Sequence, residues 1–293
     1  MNSLRVSLKD KTLVFLHIQK CAGNALLDIL QSHYRPRDLL KAHLLHPQAP
    51  EIQRPIREYR AIIGHNTYED IQALGIDPVY ITMLRDPIER VASLYYFWRS
   101  HRWEYIRAND LRGPALAKEL SLSEFLECDE IEARLSVSNG QAGQLLNGLR
   151  GPIEQSDDEF SLIAKKRLQT FPFVGITEEF SSSAELLCHT FGWTPPRELR
   201  QVNVSSANET HDPRYEHIER EPLTDELRSR IAEHNRVDIE LYDYACEFFQ
   251  QRIEKMRSEK HSEPFTRLQS PRLAYRFRRY LREQVVRFVP NGI

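Results

Sequence analysis

Apolar positions along this chain fall into two rhythms. Residues 12–18 form an almost unbroken apolar run, of the kind that suits a parallel strand covered on both faces. It stops at the polar stretch 19–24, and Leu26, Leu27, Ile29 and Leu30 then recur at helical spacing. Shorter apolar runs at 61–64, 79–84 and 171–176 predict three more strands. They run out into His65, Arg85-Asp86-Pro87 and Thr177-Glu178-Glu179 respectively. After the third strand the chemistry of a helix start is complete. Asp86 suits the N-cap, Pro87 the first helical position, and Glu89 stands where a capping box would close. The helix continues through Val91, Leu94, Tyr95 and Trp98. Residues 100–160 read as mostly helical with polar breaks, 184–190 as helix and 203–214 as loop. Residues 224–256 read as one or two long helices. Strands alternating with helices predict an α/β fold, a central parallel sheet with helices on both faces.

The chain has 293 residues, 41% hydrophobic and 28% charged, which suits one large globular domain and excludes disorder throughout. No window holds the roughly 18 uninterrupted apolar residues of a membrane span, and the first residues lack the apolar core of a secretory signal, so a cytoplasmic location is expected. The four cysteines lack CxxC spacing, which argues against a zinc ribbon. His43 and His46 lie three apart without a further ligand at useful spacing, so no metal is expected. The net charge of −2 is uneven. Residues 264–293 carry seven Arg and one Glu, leaving residues 1–263 mildly acidic at −8. A nucleic-acid grip over the whole body is therefore not expected. Residues 1–263 are read as the α/β domain. Residues 264–293 are read as a basic amphipathic tail that either lies on an anionic membrane or docks on the body.

In open parallel sheets, ligands bind beyond the carboxyl ends of the strands. Three strands place polar residues there: Lys20, His65 and Arg85. The loop 19–24 leads straight into a helix, whose backbone N–H groups and positive end can hold an anion, with Lys20 adding a mobile charge. It is not a Walker A loop, because Lys20 comes early and no Ser or Thr follows to ligate Mg²⁺. Arg85 offers a forked donor suited to phosphate, and Ser93 adds a hydroxyl from the following helix. Read from these residues alone, the loop is either an anion site or an ordinary strand–helix turn. Arg85 likewise either meets phosphate or pairs with a carboxylate.

His17-Ile18-Gln19-Lys20-Cys21-Ala22-Gly23-Asn24 resembles the 5′-phosphosulfate loop of sulfotransferases, whose usual form is close to HIPKTAGT. The stretch from Leu84-Arg85-Asp86-Pro87 through Arg90 and Ser93 to Tyr95-Tyr96-Phe97 resembles their 3′-phosphate motif, RDPxxRxxSxYY. Gly64-His65 with Tyr68, and Phe173-Val174-Gly175-Ile176-Thr177-Glu178-Glu179, are further echoes, and the likeness spans roughly residues 12–250. It is nearest to carbohydrate sulfotransferases of the heparan sulfate (uronosyl) 2-O type. The resemblance implies a P-loop-like fold binding 3′-phosphoadenosine 5′-phosphosulfate (PAPS). Lys20 would then meet the bridging oxygen, and Cys21, Ala22, Gly23, Asn24 and Ala25 would supply backbone donors to the 5′-phosphate. Arg85 and Ser93 would hold the 3′-phosphate, and His65 would be the general base. The chain departs from the pattern where Cys21 replaces the usual Thr and where Asn24 and Ala25 replace hydroxyl residues. It also carries Ile63-Gly64-His65 in place of HGH.

The aromatic and cationic stretch 95–107 offers Arg99, His101 and Arg102 as contacts to an acidic acceptor, or else a packed helix with a solvated Arg face. The expected reaction is sulfuryl transfer to a hydroxyl, most readily on a glycan, with tyrosine or lipid hydroxyls as alternatives. A P-loop kinase and a PAPS-binding module without turnover are the rival readings. Cys21 beside Lys20 at a helix start is either a reactive thiolate or a small stand-in for Thr. Glu178 either orients the site or forms a structural ion pair.

Overall fold

The computed structural model describes residues 3–42, 51–146, 156–196 and 212–259. Five parallel strands form one sheet in the order β2-β3-β1-β4-β5: β1 (Thr12–Leu16), β2 (Leu39–Lys41), β3 (Ala61–Gly64), β4 (Pro78–Leu84) and β5 (Phe173–Ile176). Every residue of β1 is buried, as is every residue of β3 and β5, which is the pattern of strands covered on both faces. Leu16 is opposite Gly64 on one side and Thr82 on the other, so β3, β1 and β4 end side by side. Sequence order reverses about β1: the chain moves to β2 and β3 on one side, then to β4 and β5 on the other. The carboxyl edge at such a reversal is where open sheets bind ligands.

Twelve described helices surround this sheet. They are α1 (Gly23–His33), α2 (Tyr68–Gln72), α3 (Pro87–Arg99), α4 (Trp103–Ala108), α5 (Arg112–Glu119), α6 (Leu122–Leu126), α7 (Ile131–Val137), α8 (Gly140–Gln144), α9 (Asp157–Thr170), α10 (Phe180–Phe191), α11 (Asp225–His234) and α12 (Arg236–Glu259). The main core joins the sheet to α1, α8, α9, α10 and α12 through Phe15, Leu26, Phe171, Phe173, Leu187 and Phe249. Each such side chain contributes about 1.5–3 kcal/mol on burial. A second apolar cluster, built on Val91, Tyr95, Leu116 and Phe125, ties α3 to α5, α6, α7 and α11.

The four strands and the long C-terminal helices stand where the apolar pattern put them. The residues 224–256 resolve into α11 and α12, parted at Asn235. Strand β2 went unread because three residues at a sheet edge leave no periodicity to detect. The cap of α3 differs in one respect. Asp86 Oδ1 accepts from the N–H groups of Ile88 and Glu89 at 3.0 and 3.1 Å, as its position required. Glu89 does not close a capping box. Its carboxylate pairs with Arg228 at 3.2 Å, and the Asp86 N–H donates to Glu178 Oε1 at 3.1 Å. Helix α12 is described as far as Glu259; His43, His46, most of the loop 203–214 and the tail 264–293 lie outside the described residues. No described helix is long and apolar enough to cross a membrane.

Candidate active site

The loop after β1 owes its form to backbone conformation. Lys20 and Ala22 both take left-handed φ, +66° and +57°, with Cys21 between them. Non-glycine residues adopt this region at a cost, so its repetition within three residues marks a shape the surroundings enforce. Successive N–H groups in such a turn converge into an anion-binding concavity. Ala22 is the N-cap of α1; no side chain caps that end, and its first turn holds no acidic residue. The helix start of α3 is capped by Asp86, whereas that of α1 has no side-chain cap.

Arg85 reaches into this loop. Its Nη1 donates to the carbonyl of Lys20 at 3.1 Å, so the residues after β1 and β4 form one site. The ammonium of Lys20 lies over the Phe97 ring, 4.1 Å from its centroid, about three turns past the Arg85 corner. Ser93 sits on the buried face of α3. Asn24 and Ala25 lie in the first turn of α1, Asn24 exposed and Ala25 buried.

His65 completes the edge from β3. Its Nδ1 lies 2.5 Å from the carbonyl oxygen of His17, and its ring centroid lies 4.4 Å from that of His17. A carbonyl can only accept, so Nδ1 carries the proton and the neutral ring keeps its basic lone pair on Nε2. The same His17 carbonyl accepts from Gln144 Nε2 at 3.0 Å. Gly23 is dictated by His17: a Cβ at this position would stand 1.7 Å from His17 Nε2. The short distance explains why the turn carries glycine there although its φ is not left-handed.

Cys21 is fully buried, and burial pushes its thiol up to about 12. The nearby charges of Arg90 and Arg85 pull the other way and are outweighed. The reactive-thiolate reading therefore fails on desolvation. Cys21 Sγ instead lies 3.5 Å from Gln141 Oε1, in the interior side of the loop.

Glu178 links the corner after β4 to α12. While Oε1 accepts from the Asp86 N–H, Oε2 accepts from the Tyr242 hydroxyl at 2.7 Å. Sequence reasoning missed Gln141, which is 1% exposed and clasps the backbone of Arg85. Its Oε1 accepts from the Arg85 N–H at 3.0 Å, and its Nε2 donates to the Arg85 carbonyl at 2.9 Å. A glutamine in a polar break 56 residues away carries no local signal of such a task.

The three candidate acceptor contacts divide. Arg99 does not face an acceptor. Its Nη1 donates to the carbonyls of Ala117 and Leu120 at 2.8 and 3.0 Å and to the Tyr95 hydroxyl at 3.0 Å, which closes the end of α5. His101 is buried, its Nδ1 donates to the carbonyls of Phe97 and Trp98, and burial holds its imidazole below the ordinary range. A positive charge there is disfavoured; what His101 offers is a ring. Arg102 is exposed and holds the strip 212–216, its N–H and Nε donating to the carbonyls of Arg214 and Tyr215 at 2.9 and 3.0 Å. With Phe97 and Tyr105, His101 and Tyr215 form an aromatic wall. His101 and Tyr215 have centroids 4.8 Å apart, and Phe97 and Tyr215 5.5 Å apart. Lys20 rests on the near end of that wall.

An uncapped helix start in a left-handed turn, a guanidinium beside it and a histidine at the adjacent strand end thus stand together at the carboxyl edge of the sheet. Residues 4–245 match the model of the Sulfotransferase family, and the chain belongs to that family. It is similar to heparan-sulfate 6-O-sulfotransferase 2 of Gallus gallus, 28% identical over 70% of this chain and 53% of that protein. The Homo sapiens protein of the same name is 26% identical over 66% of this chain and 33% of its own length. An uncharacterized protein of Archaeoglobus fulgidus is 28% identical over 61% of this chain and 72% of its own. The chain thus spans about half or less of the length of the first two relatives. The motif resemblance pointed to the 2-O type and these relatives are named for the 6-O position; what both share is a carbohydrate sulfotransferase.

Proposed function

We propose that this chain transfers the sulfuryl group of PAPS to a hydroxyl of a glycan acceptor. The observation that supports the reading is the 3.1 Å contact between the Arg85 guanidinium and the Lys20 carbonyl, which brings the two motifs of the resemblance side by side. PAPS supplies an activated sulfuryl group and a phosphate leaving group. The residues present fit its two anionic ends. The uncapped start of α1 with its left-handed turn suits the 5′-phosphosulfate, and the donor fork of Arg85 with Ser93 suits the 3′-phosphate. Replacement of the usual Thr by Cys21 removes a hydroxyl from the loop, and the Cys21 N–H itself donates to the Ile18 carbonyl at 3.3 Å, so the cradle rests on the backbone N–H groups that follow, from Ala22 on.

Lys20 is placed to neutralise charge growing on the bridging oxygen, an effect strongest where water is excluded. His65 Nε2 accepts the proton of the attacking hydroxyl, while the His17 carbonyl holds the ring in that tautomer. The hydroxyl must lie opposite the leaving oxygen for in-line transfer. The aromatic wall beside Lys20 offers ring faces on which a sugar can stack. No step in this scheme asks for a metal.

Calorimetry with adenosine 3′,5′-bisphosphate and with Mg²⁺-ATP tests the donor. Tighter binding of the bisphosphate is expected, and preference for Mg²⁺-ATP rejects the reading in favour of a kinase. Labelled sulfate transfer from PAPS to desulfated heparan chains, with tyrosine peptides and lipids as competitors, tests the acceptor. Donor binding without transfer to any of these would make the chain a binding module.

A further inference from the structure

Between the donor cleft and the long helix α12 lies a chain of buried polar contacts that the transfer scheme leaves unused. Asp238, in the first turn of α12, is 0% exposed. Its two carboxylate oxygens accept from the N–H groups of Gln141 and Ala142 at 3.0 and 2.7 Å, so a residue almost a hundred positions away caps the start of α8. Asn139, just before α8, donates its N–H to Asn235 Oδ1 and accepts from the Asp238 N–H, each at 3.1 Å. Arg90 is 3% exposed; its guanidinium donates to the Ser136 carbonyl and fills the space against Gly140. Helix α8 is thereby fixed at its first turn from α3 and α12 together.

From that fixed turn Gln141 projects to Arg85. Both hydrogen-bonding groups of the side-chain amide are used on the two backbone groups of one residue, in the manner of a strand partner. The clasp lies where β4 has ended and the Arg85 backbone has no further sheet neighbour to pair with. Its oxygen also meets Cys21 Sγ at 3.5 Å, so one amide touches both phosphate-binding segments. A second brace from α12 runs through Tyr242 and Glu178 to the next N–H, that of Asp86; Asp238 and Tyr242 are four residues apart and share a helix face.

We propose that Gln141 is a positioning residue for the donor: held by Asp238, it sets the Arg85 backbone, and through it the guanidinium, at the height where the 3′-phosphate is gripped. This rests on the assignment of Arg85 to that phosphate. The role is separate from the proton transfer at His65 and from charge neutralisation at Lys20.

The test compares adenosine 3′,5′-bisphosphate with adenosine 5′-monophosphate by calorimetry on the full chain. The ratio of the two affinities isolates the 3′-phosphate, and a variant that is merely less folded weakens both ligands alike. The native chain is expected to favour the bisphosphate by at least about tenfold. Gln141→Met, of similar length but without the amide, is expected to bring the ratio to within about threefold of unity while monophosphate affinity holds. Gln144→Met, on the same short helix but bonded to the His17 and Asn66 carbonyls, is expected to keep the native ratio. Should Gln141→Met fail to fold, Gln141→Asn keeps the amide but draws it back by one methylene, and the same fall in ratio is expected. A native ratio near unity overturns the donor assignment together with this inference. A high native ratio left unchanged by the Gln141 variants, or lowered equally by Gln144→Met, overturns the inference alone.

Discussion

The two sides of the proposed cleft are built differently. On the donor side, the Lys20 loop and the Arg85 corner are held by buried groups: Gln141, Asp238, Arg90 and Cys21 are all at most 3% exposed. On the acceptor side, the strip 212–216 is held to residues 100–102 by an antiparallel bridge between His101 and Tyr215, with the Glu216 N–H donating to the Ser100 carbonyl at 2.7 Å, and by contacts at the surface. Arg102 bonds its carbonyls, and Arg214 pairs with Asp212 while half exposed itself. Buried polar contacts are costly to leave unmade, whereas exposed ion pairs contribute at most about 1 kcal/mol. The donor side is therefore preorganised, as a site must be that stabilises charge only in the transition state. On the acceptor side only the exposed pairs around that bridge, such as Arg214 with Asp212, can be exchanged at little cost to the fold.

The sharpest way to break this comparison is at its chemical centre. Lys20→Ala and His65→Ala are each expected to lower turnover at least about a hundredfold while the chain stays folded. The two should differ in binding, because His65 stands at the base and Lys20 beside the donor. Bisphosphate affinity measured by calorimetry is expected to hold in His65→Ala and to fall in Lys20→Ala. Native turnover in His65→Ala would remove it as the base. Next comes Gly23→Ala, whose Cβ would land on the His17 ring. That ring has to leave its place beside His65, so a loss of about 1–3 kcal/mol in denaturant unfolding is expected, together with reduced transfer. An unaffected variant would show that the His17–His65 contact does nothing for the site.

Asp238→Asn weakens the brace rather than the chemistry. Asn offers one oxygen for the two N–H groups that Asp238 now satisfies, and the expected loss is about 1–3 kcal/mol of stability. Burial raises the carboxyl pKa of Asp238 in the folded state, against the pull of Arg90 and the backbone donors. Folding therefore disfavours the ionised form. The stability of the native chain from this group is fullest below the unfolded carboxyl pKa of about 3.9 and declines as pH rises toward the folded value. The Asn variant lacks that slope, so its deficit is expected to be larger at pH 4 than at pH 7 in urea titrations. A deficit that grows with pH would show the ionised carboxylate to be the favoured form.

What could be read beforehand follows the same division. The strands, the loop after β1 and the Asp86 cap are contiguous, and local periodicity and spacing carried them. Lys20, His65 and Arg85 could be gathered because parallel strands put all their carboxyl ends on one edge. Gln141, Asp238 and Tyr242 could not, since their partners lie 56, 97 and 64 residues away and nothing nearby distinguishes them from surface polar residues. Nor could the place of Arg99 at the end of α5 be read, for the converse reason. A run rich in aromatic and basic residues reads the same whether its cations face a substrate or close a helix end, and only the tertiary fold separates the two. On the acceptor side, Tyr215→Ala removes one member of the wall and is expected to raise the acceptor KM about three- to tenfold, with bisphosphate affinity unchanged. A fall in donor affinity instead would mean that the two sides are one rigid unit.

The smallest expected effect is at Cys21, and it is the most discriminating for the donor side because the two readings of that residue differ in sign. A thiol at a helix start beside a lysine would ordinarily be acidified, and in the family pattern the position belongs to a hydroxyl that faces the ligand. Here the left-handed turn at Lys20 and Ala22 directs the thiol inward to Gln141, and burial pushes it up to about 12. Native protein treated with iodoacetamide at pH 8 is expected to be modified at Cys128 and Cys246, both partly exposed, long before Cys21 reacts. Cys21→Ser is expected to change bisphosphate affinity by less than about threefold, since the cradle consists of backbone N–H groups. Rapid alkylation of Cys21, blocked by adenosine 3′,5′-bisphosphate, would show that the side chain faces the donor after all. The cradle would then depend on side chains as well as on backbone shape.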